Sequence, residues 1–377
     1  MNSNFMKYLS QIILPVFLTS LFLSCKTNKN FVENNKKEVN IYIAGYEYND
    51  SKFESSIEEM ADEVGMKHVV KLWKNGEDIS LENKEEYSDA ETVFVNNKDV
   101  YVAGYIKPHE NAIAAIWKNG KIEKLTDGKK TAHINSVFVE DNNVYVLGER
   151  FNDNLLNSKP YNIKVWKNGV GTDITDGKNN DTGNTIFVDK GDVYICGYEK
   201  TGNDRHDKVG ENGKKYRATT WKNGTQKYLT DGTNNAFALS MYVDNGTIYT
   251  VGYEIVNNRY IAKLWVNGKG QNLSDSPNNT YAFSIFIYNK NRYIVGYEYI
   301  NEVCVAKLWI NGKAQNITDG KNHAIANSVF VHNNNIYIVG YEKNDLDRDV
   351  AKLWINGVAK NLTDGTKNAQ AKSIFVK

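Results

Sequence analysis

Few residues of this chain combine the type and spacing needed for chemistry. The densest group is Asp204-Arg205-His206-Asp207, where an imidazole flanked by carboxylates could move a proton or help hold a metal. Lys107, His109 and Glu110 put a cation, an imidazole and an acid within four residues. Arg150 stands where most repeats carry Glu and, beside Lys164, leaves positive charge unpaired within its own repeat. Lys107, His109, Glu110, Arg150, Asp204, Arg205, His206 and Asp207 are therefore the candidate ligand-binding residues. A solvated surface loop is the simpler explanation of each of them. No nucleophile elbow, HExxH, P-loop or Cys/His cluster occurs, so no catalytic, cofactor-binding or metal residue is assigned and no cofactor is expected.

These candidates lie where a repeat is interrupted. All seven tryptophans, Trp73, Trp117, Trp166, Trp221, Trp265, Trp309 and Trp354, begin the phrase Trp-x-Asn-Gly. Such a period of about 40–50 residues marks a propeller or solenoid. The last full unit runs Ser328-Val-Phe-Val, then Ile336 to Glu342, Val350 to Gly357 and Val358 to Gly365. Its four β-rich runs are bounded by Asn, Gly and Asp, and Asn-Gly is the strongest hairpin signal. The chain opens inside a unit at Asn40 and ends on an orphan first strand, Ser373 to Val376. The expected fold is all-β: a seven-bladed β-propeller of four antiparallel strands per blade, closed by the C-terminal strand joining the N-terminal blade.

Small residues such as Ala282, Ala326 and Ala371 precede the Ser-Val-Phe-Val strand, so it fits where blades converge and is expected innermost. The rival frame puts the Trp strand there. The Gly-Tyr-Glu series (Glu47, Glu199, Glu254, Glu298, Glu342) is expected to pair with Lys across the hairpin. If Glu254 faces Lys263, Gly252 faces Trp265, whose indole would cover the bare glycine. Asp127, Asp176, Asp231, Asp319 and Asp364 in Thr-Asp-Gly are expected to bond their own downstream backbone. Cys196 reads as a buried small hydrophobe, and Cys304 sits alone in an apolar stretch.

In strand logic the unit resembles a kelch repeat, with an inner apolar strand, a second strand ending in glycine and an aromatic-bearing outer hairpin. The resemblance spans residues 39–377. It departs at the second glycine of the kelch pair, where Tyr46, Tyr105, Glu149, Tyr198, Tyr253, Tyr297 or Tyr341 stands. It implies a propeller fold and a binding face, and no ligand.

The N-terminus carries an address. Lys7 precedes an apolar run from Ile12 to Leu23. At ~1.5 Å per residue it is far shorter than the ~30 Å bilayer core, as a signal-peptide segment is. Leu21-Phe22-Leu23-Ser24-Cys25 resembles a bacterial lipoprotein signal of the relaxed Bacteroidetes type, which implies lipidation at Cys25. The domains expected are a signal peptide (1–24), a flexible tether (25–38) and the propeller (39–377). A net charge of +1 provides no general attraction for nucleic acid. The expected function is a monomeric, lipid-anchored cell-envelope protein of the outer membrane, on its periplasmic side or at the surface, whose loops bind a protein or glycan partner. A carbohydrate-active lyase or glycosidase and a purely structural envelope component are the alternatives.

Overall fold

The computed structural model describes residues 39–49, 68–82, 87–108, 111–151, 161–179, 181–201 and 215–377. They form 28 strands in seven four-stranded antiparallel sheets. The chain is thus a seven-bladed β-propeller. Blade one takes its first strand, Ala369–Val376, from the C-terminus and its second, Ile41–Tyr48, from the N-terminal end. Blades two to seven begin with Ser88–Asn96, Ala132–Glu140, Asp181–Asp189, Asn235–Asp244, Thr280–Tyr288 and Ala324–His332. Each first strand touches the first strand of the next blade, and the contact from blade one to blade two closes the circle. The Ser-Val-Phe-Val strand is therefore innermost.

The Trp-x-Asn-Gly phrase performs three structural tasks. Asn and Gly both take positive φ, as in Asn267 (50°) and Gly268 (88°), so the third and fourth strands join through the expected tight turn. The Asn carboxamide also reaches the turn between the first two strands: the Ile248, Val100 and Ile336 N–H groups donate to Asn267, Asn119 and Asn356 Oδ1 at 2.8–2.9 Å. One face of every blade is clasped this way. The Trp fills the seam to the preceding blade. Trp117 packs on Ala44, Val70 and Leu72, and Trp354 on Val295, Ala306 and Leu308. All seven are at most 2 % exposed. Truncating a side chain so placed costs about 3–5 kcal/mol, so the indoles outweigh the surface ion pairs in holding the blades together.

The expected pairing across the second hairpin needs correction. Gly252 lies opposite Lys263, Thr250 opposite Trp265 and Glu254 opposite Ile261. The ion pair survives as a diagonal contact: Lys263 Nζ is 2.9 Å from Glu254 Oε2, and the Lys71–Glu47, Lys307–Glu298 and Lys352–Glu342 pairs repeat it at 2.6–3.0 Å. The indole does not cover the glycine. A Cβ on Gly252 would stand 1.9 Å from the Phe237 carbonyl oxygen, and Gly104, Gly296 and Gly340 face the same collision with Asp89, Tyr281 and Ile325. The glycine exists because the innermost strand bulges against it: register slips between Ala238 and Ser240, and at the matching place in every blade.

The Thr-Asp-Gly turns are as read, with the Thr233, Lys321 and Thr366 N–H groups donating to Asp231, Asp319 and Asp364. Cys196 and Cys304 are free thiols. Burial pushes the Cys196 thiol up to about 12.

Candidate functional site

The bulge determines what the innermost strands present to the axis. Its extra residue is Glu91, Asn135, Asn184, Leu239, Phe283, Asn327 or Lys372. Three of the asparagines bridge blades: Asn135, Asn184 and Asn327 Nδ2 donate to the Gly183, Ala238 and Ala371 carbonyls at 2.7–2.9 Å. One residue on, the Ser373, Ser240 and Ser284 hydroxyls accept the N–H groups of Val93, Ile285 and Val329 in the next blade. Those axial hydroxyls are committed to the scaffold. Below them Phe94, Phe138, Phe187, Tyr242, Phe286, Phe330 and Phe375 form a closed aromatic girdle, with neighbouring centroids 4.3–5.2 Å apart.

Above the bulge lies the face from which the second-to-third-strand loops emerge, and it has two halves. On blades four to six, Tyr198, Tyr216, Phe237, Tyr253, Tyr260, Tyr281 and Tyr297 form a continuous arc of rings. The Tyr198–Phe237, Phe237–Tyr253, Tyr253–Tyr281 and Tyr281–Tyr297 centroids lie 4.5–5.1 Å apart. Burial holds the phenols of Tyr253, Tyr281 and Tyr297 well above their ordinary range, so they stay protonated.

The other half, on blades seven, one, two and three and reaching the start of blade four's innermost strand, is rich in carboxyls. Asp89, Glu149 and Asp181 are each 8 % exposed or less. Burial lifts Glu149 to about 7 against hydrogen bonds from Thr182, Asn135 and the Gly183 N–H, with the Asp181 charge adding to the rise. Asp181 is raised to about 6, first by burial, with the Thr175 hydroxyl opposing and Glu199 adding. Asp349, also raised by burial, accepts Gln370 Nε2 at 2.6 Å. His133 stacks on Tyr105 at 5.1 Å, and its imidazole is pushed down by burial and then by Lys107. The two other histidines at this level spend Nδ1 on the backbone: His68 bonds the Ser88 carbonyl, and His323 accepts the Cys304 N–H.

Of the eight candidate residues, Lys107 and Arg150 are described. Lys107 Nζ lies 6.0 Å from the Tyr87 ring centroid, beside the carboxyl-rich half. Arg150 sits on the second strand of blade three, opposite Ala132 and Asn162. The expected surplus of positive charge there is corrected in part, because Lys164 is ion-paired with Asp173. His109, Glu110, Asp204, Arg205, His206 and Asp207 lie outside the described residues, as does Cys25. Asp89, Glu149 and Asp181 escaped sequence reasoning. An acid standing at a place where sister blades carry Tyr, Phe or Ala was the available signal. Among the described residues, no three His, Cys, Asp or Glu converge closely enough to hold a metal ion.

No protein family and no curated protein matches the chain. Solved structures do. The β-propeller domain of the Trilobed protease from Pyrococcus furiosus, whose own topology is an open velcro, matches at TM-score 0.50 and 11 % identity over 79 % of this chain and 90 % of that one. A Mycobacterium tuberculosis puromycin-hydrolyzing peptidase matches at TM-score 0.51 and 9 % identity over 79 % of this chain and 50 % of its own. Pyrococcus horikoshii acylaminoacyl peptidase matches at 0.49 and 13 %, over 79 % and 48 %. The chain thus spans about half the length of the last two. Identities this low establish the propeller fold alone. The matching structures are those of peptidases, and on that finding the expected protein- or glycan-binding envelope scaffold is not upheld.

Proposed function

We propose that this chain is a peptidase-related propeller that receives a peptide segment on its loop-bearing face and presents it to a peptidase. The observation that carries the reading is the division of that face into an arc of tyrosines and phenylalanine and an arc of buried carboxyls, both standing over an aromatic girdle. Peptide planes and apolar side chains stack on rings, protonated phenols donate to peptide carbonyls, and carboxyls accept N–H groups. The likeness to peptidase propellers supports the same direction.

The test is fluorescence anisotropy of the full chain with a labelled mixture of short peptides. Unlabelled peptides are expected to compete, and Phe237→Ala or Tyr281→Ala to weaken binding at least about tenfold, as truncating an aromatic anchor does. Competition by oligosaccharides with none by peptides would sink the reading. The kelch-like lipoprotein assignment is part of the proposal: Cys25 carries the lipid that holds the propeller at the outer membrane. Cys25→Ser is expected to release the chain from the membrane fraction, and retention there would refute the anchor.

A further inference from the structure

One position of the innermost strand, filled by Asp89, His133, Thr182, Phe237, Tyr281, Ile325 or Gln370, carries an acid in blade two alone. In the seams entering blades three, five and six, the second or third residue of the innermost strand is a ring: His133, Phe237 or Tyr281. Each stacks on a tyrosine of the preceding blade at 4.9–5.1 Å. In blade two the matching residue is Asp89, 7 % exposed and opposite Tyr105 in the sheet. Its Oδ1 has no hydrogen-bond partner among the described residues.

Two residues on, Glu91 occupies the bulge. There Asn135, Asn184 and Asn327 donate an amide to the next blade's carbonyl, a bond that an ionised carboxylate cannot make. Among the described residues, no cation lies within 4.0 Å ion-pair range of Asp89 or Glu91. Lys372 Nζ sits 5.3 Å over the Tyr46 ring instead. Burial raises the Asp89 carboxyl well above its ordinary range and the Glu91 charge adds to this, while Lys372 and the Ala90 N–H oppose it. A buried acid with an open oxygen, a second acid beside it and a tyrosine opposite it in the sheet is a site short of one positive charge and its N–H donors.

We propose that Asp89 and Glu91 bind a primary ammonium group at the axial end of blade two. A metal ion fits less well, because no three-ligand set forms among the described residues, whereas two carboxylates with Tyr105 opposite Asp89 suit an organic cation. The ammonium can come from the α-amino end of a peptide, in which case this deepens the peptide-receiving function proposed above and rests on it, or from a free amine.

Isothermal titration of the full chain with trialanine amide, N-acetyl-trialanine amide and n-butylammonium separates the cases. Trialanine amide is expected to bind, n-butylammonium to compete by making the same contact, and acetylation to weaken binding at least about tenfold, since it alone removes a buried charge-assisted contact. Asp89→Asn should remove the preference for the free amine. Glu91→Asn, which installs the residue three sister blades already carry, should reduce it in a protein that melts normally. Equal binding of acetylated and free peptide would overturn the ammonium site and leave the peptide reading standing. Binding of n-butylammonium, lost in Asp89→Asn, with no peptide bound would support the site and sink the peptide reading. No binding of n-butylammonium and no effect of acetylation would overturn the site outright.

Discussion

Glu149 and Glu298 are both buried acids, and their surroundings drive them in opposite directions. Glu298 also feels burial first. Hydrogen bonds from Lys307, Ser276 and Asn278 outweigh it, and its carboxyl ends below the ordinary range. Among the described residues no lysine is ion-paired with Glu149, and burial wins, raising it from 4.5 to about 7. Because the folded state holds this proton more tightly, Glu149 costs nothing below about pH 4.5 and destabilises progressively as pH rises towards 7, to a limit of about 3 kcal/mol. Asp181, raised from 3.8 to about 6, adds a similar loss over a lower window. Glu149→Gln is therefore expected to gain about 2–3 kcal/mol over the wild type at pH 8 and nothing near pH 4.5 in urea unfolding. The same difference at both pH values would show that deprotonation is not its cause. In the sequence Glu149 is visible only as a break in a tyrosine series. Its burial depends on the facing blade, which no local pattern records.

At the level of the strand, the bulge organises both the scaffold and the site. It frees an amide or hydroxyl to bridge blades, places Glu91 and Lys372 as the extra residues of the innermost strand, and forces glycine onto the neighbouring strand. Gly296→Ala would bring Cβ to 1.9 Å from the Tyr281 backbone oxygen, which no side-chain rotation relieves. Gly312, at φ 88° with nothing within 4 Å, offers a control in which only backbone strain is felt. The expected cost is about 1–2 kcal/mol for Gly312→Ala and above about 3 kcal/mol for Gly296→Ala, read from urea midpoints. The reverse order would discard the steric account. Trp-x-Asn-Gly, the orphan last strand and the small residues near the axis made the strands, their number and their order legible. The bulge was not legible, because every repeat carries the same extra residue and the alternation looks unbroken. The Glu254 hairpin was read two residues out of register for another reason: its ladder is unbroken, and the two-residue Asn257-Asn258 turn, both at positive φ, sets the pairing.

Across the whole molecule the two faces differ in kind. One is clasped seven times by the Asn side chains of the tight turns. The other carries the loops, the aromatic arc and the carboxyls. The sequence located function where the repeat is irregular, and most of the residues it named lie outside those described. The structure adds sites that sit inside regular strands, Asp89 and Glu91 among them, where a single residue type differs and the length of the repeat does not.

The closure of blade one has a mechanical side. Asn40 and Lys377 exchange backbone hydrogen bonds at 2.8 and 2.9 Å, and Ile41 lies opposite Val376, so the two ends of the propeller leave it side by side. A pull between those ends meets the antiparallel pair at its tip and peels it one rung at a time. A pull applied from one end to any other blade runs along the strand and loads many rungs together. The seam that completes the ring is therefore strong against nearly every direction of force and weak against tension across its own two ends.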